Sequence, residues 1–340
     1  MSIAYTSGAS VSRRSMISRH TQYQLIFALV LLLCGYRGTS NAQSARMEIY
    51  AIDTVTLTGE QFLTGDRNGK PTRIGGELRL PSAGTAKVPA VLLVHGSGGV
   101  RTNIDLWATQ LVSMGIAAFV LDTFTGRGIV TTSEDQSQLH SLAMLYDSYR
   151  ALDLLAKHSR IDGTRIAIMG FSKGAVAAVY SSVARFNKMH GTPSVTFAAH
   201  IGFYTPCNTK FLDETVVTGK PIRLFHGISD DLVQIGPCRA FTERLRAAGR
   251  DAKLTEYQNA WHVFDSPGPA LVDRKGQNGG ACRNEEREGG QIINTETGKP
   301  YSSTDRCVTQ DAHTGYSPNA HAASIRDVGK FLNDTFSLKH

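Results

Sequence analysis

Residues 88–95 read VPAVLLVH, and nothing polar interrupts the run before its terminal histidine. A strand with one face in water alternates apolar and polar side chains. A uniform run therefore predicts a strand covered on both faces, as in a parallel sheet with helices on either side. Further strands are expected at 117–121, 165–169 (RIAIM), 195–203, 222–226 and 252–257, with an N-terminal pair at 47–59 and 72–80 around the Asn68-Gly69 turn. Helices are expected between them at about 105–114, at 135–157, along GAVAAVYSSVA and at 238–248. In the second of these, Leu139, Leu142, Leu145, Tyr146, Tyr149, Leu152 and Leu155 recur mostly three or four residues apart. A last helix is expected at 320–332 with Asn319 as its N-cap. This alternation predicts an α/β fold, one doubly wound and mostly parallel sheet with helices on both faces.

The first 42 residues are set apart. The apolar run 25–33 (LIFALVLLL) follows Arg13, Arg14 and Arg19 and precedes Thr39-Ser40-Asn41-Ala42. That order is the grammar of a secretory signal peptide cleaved near Ala42, with Met16 as an alternative start, and the run is too short for a stable membrane anchor. The remaining 43–340 is expected to be a single domain in a secreted or periplasmic protein. Four of the 36 basic residues and none of the 29 acidic ones precede position 43, so removing the leader lowers the net charge from +7 to about +3. So small an excess argues against a nucleic-acid partner. It also leaves Cys207, Cys238, Cys282 and Cys307, which in an oxidising compartment imply two disulfides, with three pairings open. No C-x-x-C pair points to zinc instead. Residues 266–318, rich in Gly, Asn, Arg and Thr, break the α/β pattern and are expected to be an irregular insertion, with a small hairpin at 291–302. A bridge between Cys282 and Cys307 would close that stretch.

The chemistry centres on Gly170-Phe171-Ser172-Lys173-Gly174, which directly follows a strand and precedes a helix. That setting is what a nucleophile elbow requires; the simpler alternative for Ser172 is a helix N-cap. A serine hydroxyl needs a base oriented by a carboxylate, and in this chain order the acid comes before the histidine. Asp230 and Asp231 both follow the strand ending at His226, and His262 follows the next strand, in Asn259-Ala260-Trp261-His262-Val263-Phe264. Asp230 is preferred, with Asp231 as a solvated neighbour. His95, His200 and His226 are expected to be structural, and His313, His321 and His340 fall late in the chain. The oxyanion donors are expected to be the backbone N–H groups of Lys173 and of Ser97, in the loop His95-Gly96-Ser97-Gly98-Gly99.

Together LLVHGSGG, LDTFTGRG, IMGFSKGA, FHGISDDL and AWHVFD resemble the dienelactone hydrolase family of α/β-hydrolases, from about residue 70 to the last helix. The resemblance implies an α/β-hydrolase fold and maps the triad onto Ser172, Asp230 and His262. It places Arg127 near the active-site mouth, where it either positions substrate or braces a loop, and makes Tyr204 a second candidate for positioning substrate. The enzymes that name the family carry a cysteine nucleophile and a glutamate in the early loop. Serine and HGSGG stand here instead, which points away from a dienelactone and leaves ester hydrolysis. Similarity to an exported, cysteine-bearing branch implies the pairs Cys207–Cys238 and Cys282–Cys307.

The resulting expectation is a serine hydrolase of small-molecule esters or lactones, needing no cofactor and no metal. The rivals are an exported peptidase or acyltransferase of the same fold, and a non-catalytic binding module on a hydrolase scaffold.

Overall fold

A computed structural model describes Ala4 and residues 46–81 and 84–338; the expected leader and its cleavage point, and His340, lie outside the described residues. The chain enters as an antiparallel pair, β1 (Arg46–Thr56) and β2 (Lys70–Leu80), joined through α1 (Gly59–Thr64). Thr58 and Gln61 cap α1 reciprocally, which suffices for a helix too short to show an apolar period and therefore missed in the sequence. Next come β3 (Val88–Val94), α2 (Thr102–Ser113), β4 (Ala117–Asp122), α3 (Ser141–Lys157) and β5 (Ile161–Phe171). The expected helix after Ser172 is two, α4 (Lys173–Tyr180) and α5 (Ala184–His190). Then follow β6 (Ala199–Phe203), the short β7 (Thr209–Lys210), β8 (Ile222–Gly227), α6 (Ile235–Ala247) and β9 (Ala252–Tyr257).

These strands, β7 excepted, form one sheet in the order β1-β2-β4-β3-β5-β6-β8-β9. The β1/β2 and β2/β4 pairs are antiparallel, and every later pair is parallel. The uniform run behaves as its composition requires. Ala90, Leu92 and Val94 pack toward α3, α4 and α6, whereas Val91 and Leu93 pack toward α2 and the C-terminal helix. That last helix, α7 (Pro318–Phe336), is longer than expected and its N-cap is Ser317, because Pro318 already occupies the first helical turn and Asn319 lies inside.

The 266–318 stretch is more regular than its composition suggests. It holds β10 (Val272–Asn278), β11 (Asn284–Arg287), β12 (Gln291–Asn294), β13 (Lys299–Pro300) and β14 (Thr309–Thr314). β10 pairs with β14, and β11 to β13 extend from β7, with the expected hairpin at β12–β13. Strands such as NEER and TQDAHT carry no apolar alternation, which hides them from a periodicity reading. The two bridges are Cys207–Cys238 and Cys282–Cys307. Among the described residues no helix is long and apolar enough to cross a membrane.

The chain is packed closely at the start of α4. A β carbon on Gly170 would lie 2.2 Å from the Gly174 carbonyl oxygen, and one on Gly174 would lie 2.3 Å from the oxygens of Val94 and His95. Gly170→Ala is expected to force a backbone shift and lower the thermal midpoint by about 5 °C or more. Gly236→Ala, with nothing within 4 Å of the added carbon, is expected to leave it level or slightly raised. Calorimetry of both variants checks the contrast.

Candidate active site

β5 ends at Phe171 and α4 begins at Lys173, so Ser172 makes the whole turn, at φ 50° and ψ −118°. A non-glycine residue there carries strain of ~1–3 kcal/mol and persists only where its surroundings hold it. Ser172 N donates to Phe203 O at 3.0 Å, and Ala175 N donates to Ser172 O at 2.8 Å. Ser172 does occupy the N-cap position of α4, but its side chain makes no capping bond.

The hydroxyl is engaged elsewhere. Ser172 Oγ lies 3.0 Å from His262 Nε2, and His262 Nδ1 lies 2.8 Å from Asp230 Oδ2. A carboxylate oxygen only accepts, so Nδ1 carries the ring proton and Nε2 is left to accept from the serine. His262 reaches this position from a tight loop after β9, in which Asn259 and Val263 both adopt positive φ. Asp230 sits in the turn after β8, where its other oxygen accepts from Val233 N at 2.8 Å. Burial alone would raise its pKa, but the attraction and hydrogen bonds of His262 and His226 outweigh that and hold it down at about 2. His226 is structural: its Nε2 donates to Val233 O and closes the acid loop.

Asp231 is solvated as expected, its side chain 42 % exposed, but it also has a partner. Its carboxylate accepts from His313 N at 2.9 Å and meets His313 Nδ1 at 2.6 Å, fastening β14 to the acid loop. The neighbouring chain is fixed too, since Gly315 N donates to His262 O at 3.0 Å. Two adjacent aspartates thus serve the two histidines. Tyr204 borders the same cleft, its ring 4.6 Å from that of His262 and its hydroxyl donating to the buried Asp265 at 2.8 Å. Trp107 Nε1 donates to the other Asp265 oxygen.

Of the two readings of Arg127, its contacts favour the brace. Its Nε donates to Thr56 Oγ1, Nη1 to Thr123 O and Asp147 Oδ2, and Nη2 to Asp147 Oδ1, with both side chains buried. So little of the guanidinium remains unused that it braces the loop and takes no part in the cleft. Breaking a buried pair of this kind costs ~3–5 kcal/mol.

Opposite the histidine, the loop 95–99 lies against the elbow so closely that a β carbon on Gly96 would be 3.3 Å from Ser172 Cβ. This sets Ser97 beside Ser172 in the wall of the same cleft. Lys173 is the first residue of α4, where a backbone N–H has no partner within the helix. Its side chain turns inward and is 5 % exposed. Nζ donates to Gln136 O at 2.9 Å, Gln136 Oε1 at 3.0 Å and Thr132 Oγ1 at 3.3 Å. Sequence reasoning took only the backbone of Lys173. The signal for its side chain was there, a lone cation inside the otherwise apolar and small-residue stretch 166–180. The Asp231–His313 pair carried no such signal, since 82 residues separate its members.

The cleft over Ser172 has a volume of about 1220 Å³. Gly59 and Glu60 border it on one side, and Gln277, Asn284 and Tyr301 of the 266–318 stretch border it on another.

The family model for the dienelactone hydrolase family matches residues 75–287. A Bradyrhizobium protein named a probable 2-oxo-3-(5-oxofuran-2-ylidene)propanoate lactonase is 24% identical over 196 residues, which is 53% of this chain and 75% of that one. Among solved structures, a dienelactone hydrolase-like promiscuous phosphotriesterase from metagenomic libraries aligns with a TM-score of 0.54 at 18% identity, over 85% of this chain and 99% of its own. Another, m3DLH, gives 0.54 at 19% identity with the same coverage. These two share the fold. The chain belongs to the dienelactone hydrolase family of α/β-hydrolases and is a carboxylic ester hydrolase.

Asp231→Asn is expected to raise amide exchange at His313 and along β14 while leaving β8 and β9 protected. Exchange measured by mass spectrometry checks this, and unchanged protection of β14 would show that the pair holds nothing.

Proposed function

We propose that the chain hydrolyses carboxylic esters or lactones through Ser172, His262 and Asp230, with an acyl-enzyme intermediate. One observation carries the reading: the unbroken relay from Ser172 Oγ through His262 to Asp230, at 3.0 and 2.8 Å, with the serine held at positive φ. As Ser172 attacks the carbonyl carbon, His262 Nε2 takes its proton and Asp230 stabilises the imidazolium. The negative charge that develops on the carbonyl oxygen is met by the backbone N–H groups of Lys173 and Ser97. Collapse of the tetrahedral intermediate expels the alkoxide, which takes the proton from His262. Water then attacks the acyl-enzyme with His262 again as base, and Ser172 is restored.

The family supports ester or lactone hydrolysis, and the similarity to a protein named as a probable lactonase supports admitting cyclic esters. The cleft of about 1220 Å³ exceeds what a short ester fills, which favours a substrate that also reaches the wall made by residues 266–318. Secretion or periplasmic export, with residues 43–340 as the mature domain, rests on the leader grammar and the two bridges.

Ser172→Ala is expected to lower kcat on a short activated ester by about 10⁴-fold or more and to abolish labelling by a fluorophosphonate. Asp230→Asn is expected to lower kcat by up to about 10⁴-fold. Asp231→Asn is expected to stay within about tenfold of the native enzyme, since its carboxylate does not touch His262. Steady-state kinetics of the purified variants decide, and undiminished turnover by Ser172→Ala sinks the reading. Peptide cleavage or acyl transfer without ester hydrolysis would instead favour the rival reactions.

A further inference from the structure

Lys173 is a charged side chain in a place that normally excludes charge. It lies against the elbow, buried, and its three ammonium hydrogens meet three neutral oxygens: Gln136 O, Gln136 Oε1 and Thr132 Oγ1. Those oxygens belong to a network that converges on the expected oxyanion loop. Ser97 Oγ donates to Gln136 Oε1 at 3.1 Å, while Ser97 O accepts from Thr132 N at 2.8 Å and from Thr131 Oγ1 at 3.0 Å. The network continues into the 266–318 stretch, since Gln136 N donates to Gln277 Oε1 at 2.9 Å and Gln277 N to Ser133 O at 2.9 Å. Lys173 is the cation that binds this loop to the helix carrying the serine.

We propose that the Lys173 side chain is a positioning residue for the oxyanion site: its ammonium pins residues 131–138, and through them Ser97, against the elbow, so that rapid acylation requires Lys173 to be protonated. This rests on the reading of Ser172 as nucleophile and extends it to a group outside the triad. The reasoning is one of bond strength. An ammonium makes three charge-assisted hydrogen bonds, whereas a neutral amine makes at most two uncharged donations and holds the same oxygens more weakly, even though Gln136 Oε1 keeps Ser97 Oγ as a donor. The loop is then tied more weakly at the point where Ser97 hangs from it.

The surroundings place that proton loss within reach. Burial is the largest influence on Lys173 and pushes its pKa down to about 7, against the weaker upward pull of Asp135. The titratable groups around it do little to oppose this. His140, buried at the start of α3, has its pKa pushed down to about 4 by desolvation and then by Lys173 itself. His95, at the end of β3, is pushed down by burial, with Gly96 and Asp122 pulling up and Lys173 pushing down. Both stay neutral above neutral pH, leaving Asp135 as the named anion that favours the ammonium.

The acylation rate should therefore have an alkaline limb. It falls above about pH 7 as Lys173 loses its proton. The test is the pre-steady-state acylation rate on an activated ester, from about pH 5 to about pH 9.5, for the native enzyme, Lys173→Met and Lys173→Arg. Lys173→Met is expected to lower kcat about tenfold at pH ~6.5 with KM little changed, and to show no alkaline limb. Lys173→Arg, which stays charged, is expected to recover most of the rate and hold it to about pH 9. A native rate that stays flat above pH ~7 overturns the proposal without needing any variant to fold. An alkaline limb that survives in Lys173→Met, or a loss wholly in KM, also overturns it, since a purely structural lysine would behave that way. Fluorophosphonate labelling of the native enzyme separates the two ideas: labelling with no alkaline limb defeats only the Lys173 proposal, and no labelling defeats the Ser172 reading itself.

Discussion

A β carbon at Gly174 would sit 2.3 Å from the carbonyl oxygens of both Val94 and His95, so α4 can begin where it does only because none is there. That crossing brings the first turn of α4 over the end of β3, and the rest of the site depends on it. Ser172 is forced to positive φ because the chain has one residue in which to turn from β5 into a helix already lying against β3. The loop after β3 leaves from the same point, so Ser97 and Ser172 are neighbours by backbone geometry before any side chain contributes. A strained serine is tolerable because its own N–H and C=O are both bonded, to Phe203 and Ala175.

How much of this was legible in the sequence followed from which physical signal each part carries. β3 announced itself through seven residues with no polar member, and β5, α4 and the order serine, acid, histidine followed from strand–turn–helix grammar. The three groups of the relay, named in advance from that grammar and from family resemblance, do lie within hydrogen-bonding distance of one another. What escaped was chemistry without a period. α1 is held by a reciprocal cap over six residues, and the strands of 266–318 pair through polar sequences such as NEER. Asp231 looked like a spare carboxylate because its partner, His313, is brought to it by the pairing of β10 with β14. Arg127 looked available for the opposite reason: Asp147, which occupies it, sits on a helix twenty residues away.

The two bridges meet on one side of the cleft, where Asn208, next to Cys207, donates to Cys282 O at 3.3 Å. Cys207–Cys238 ties the segment after β6 to α6, and Cys282–Cys307 closes the sheet formed by β11 to β13. Loop-closure entropy assigns each a stabilisation of ~3 kcal/mol through the unfolded chain, comparable to a well-packed core side chain. For residues 266–318 that contribution matters more than for the body. Its strands bury few large apolar groups, and its attachment relies on polar links: Asp231 to His313, Arg185 to the buried Glu286, and Gln277 to residues 133–136. Polar links of this kind fix orientation more than they add stability, and orientation is what the wall of a binding cleft requires.

The same economy explains where charge is kept in the interior. Most buried ionisable groups near the sheet are held neutral, with His95, His140 and His200 all pushed down by desolvation. Apart from ion pairs such as Arg127–Asp147, the chain retains charge at Asp230, which two histidines and a backbone N–H stabilise, and at Lys173, which three neutral oxygens hold less firmly. On the mechanism proposed, acylation moves a proton from Ser172 toward Asp230 and leaves negative charge on the side of the Lys173 backbone. An anion behind the base and a cation beside the oxyanion both favour that displacement, and a low-dielectric site gives each more effect than it would have in water. The cation is the weaker of the two anchors, because its charge costs desolvation that no paired carboxylate repays. It is therefore the point at which a modest rise in pH reaches the chemistry without touching the relay.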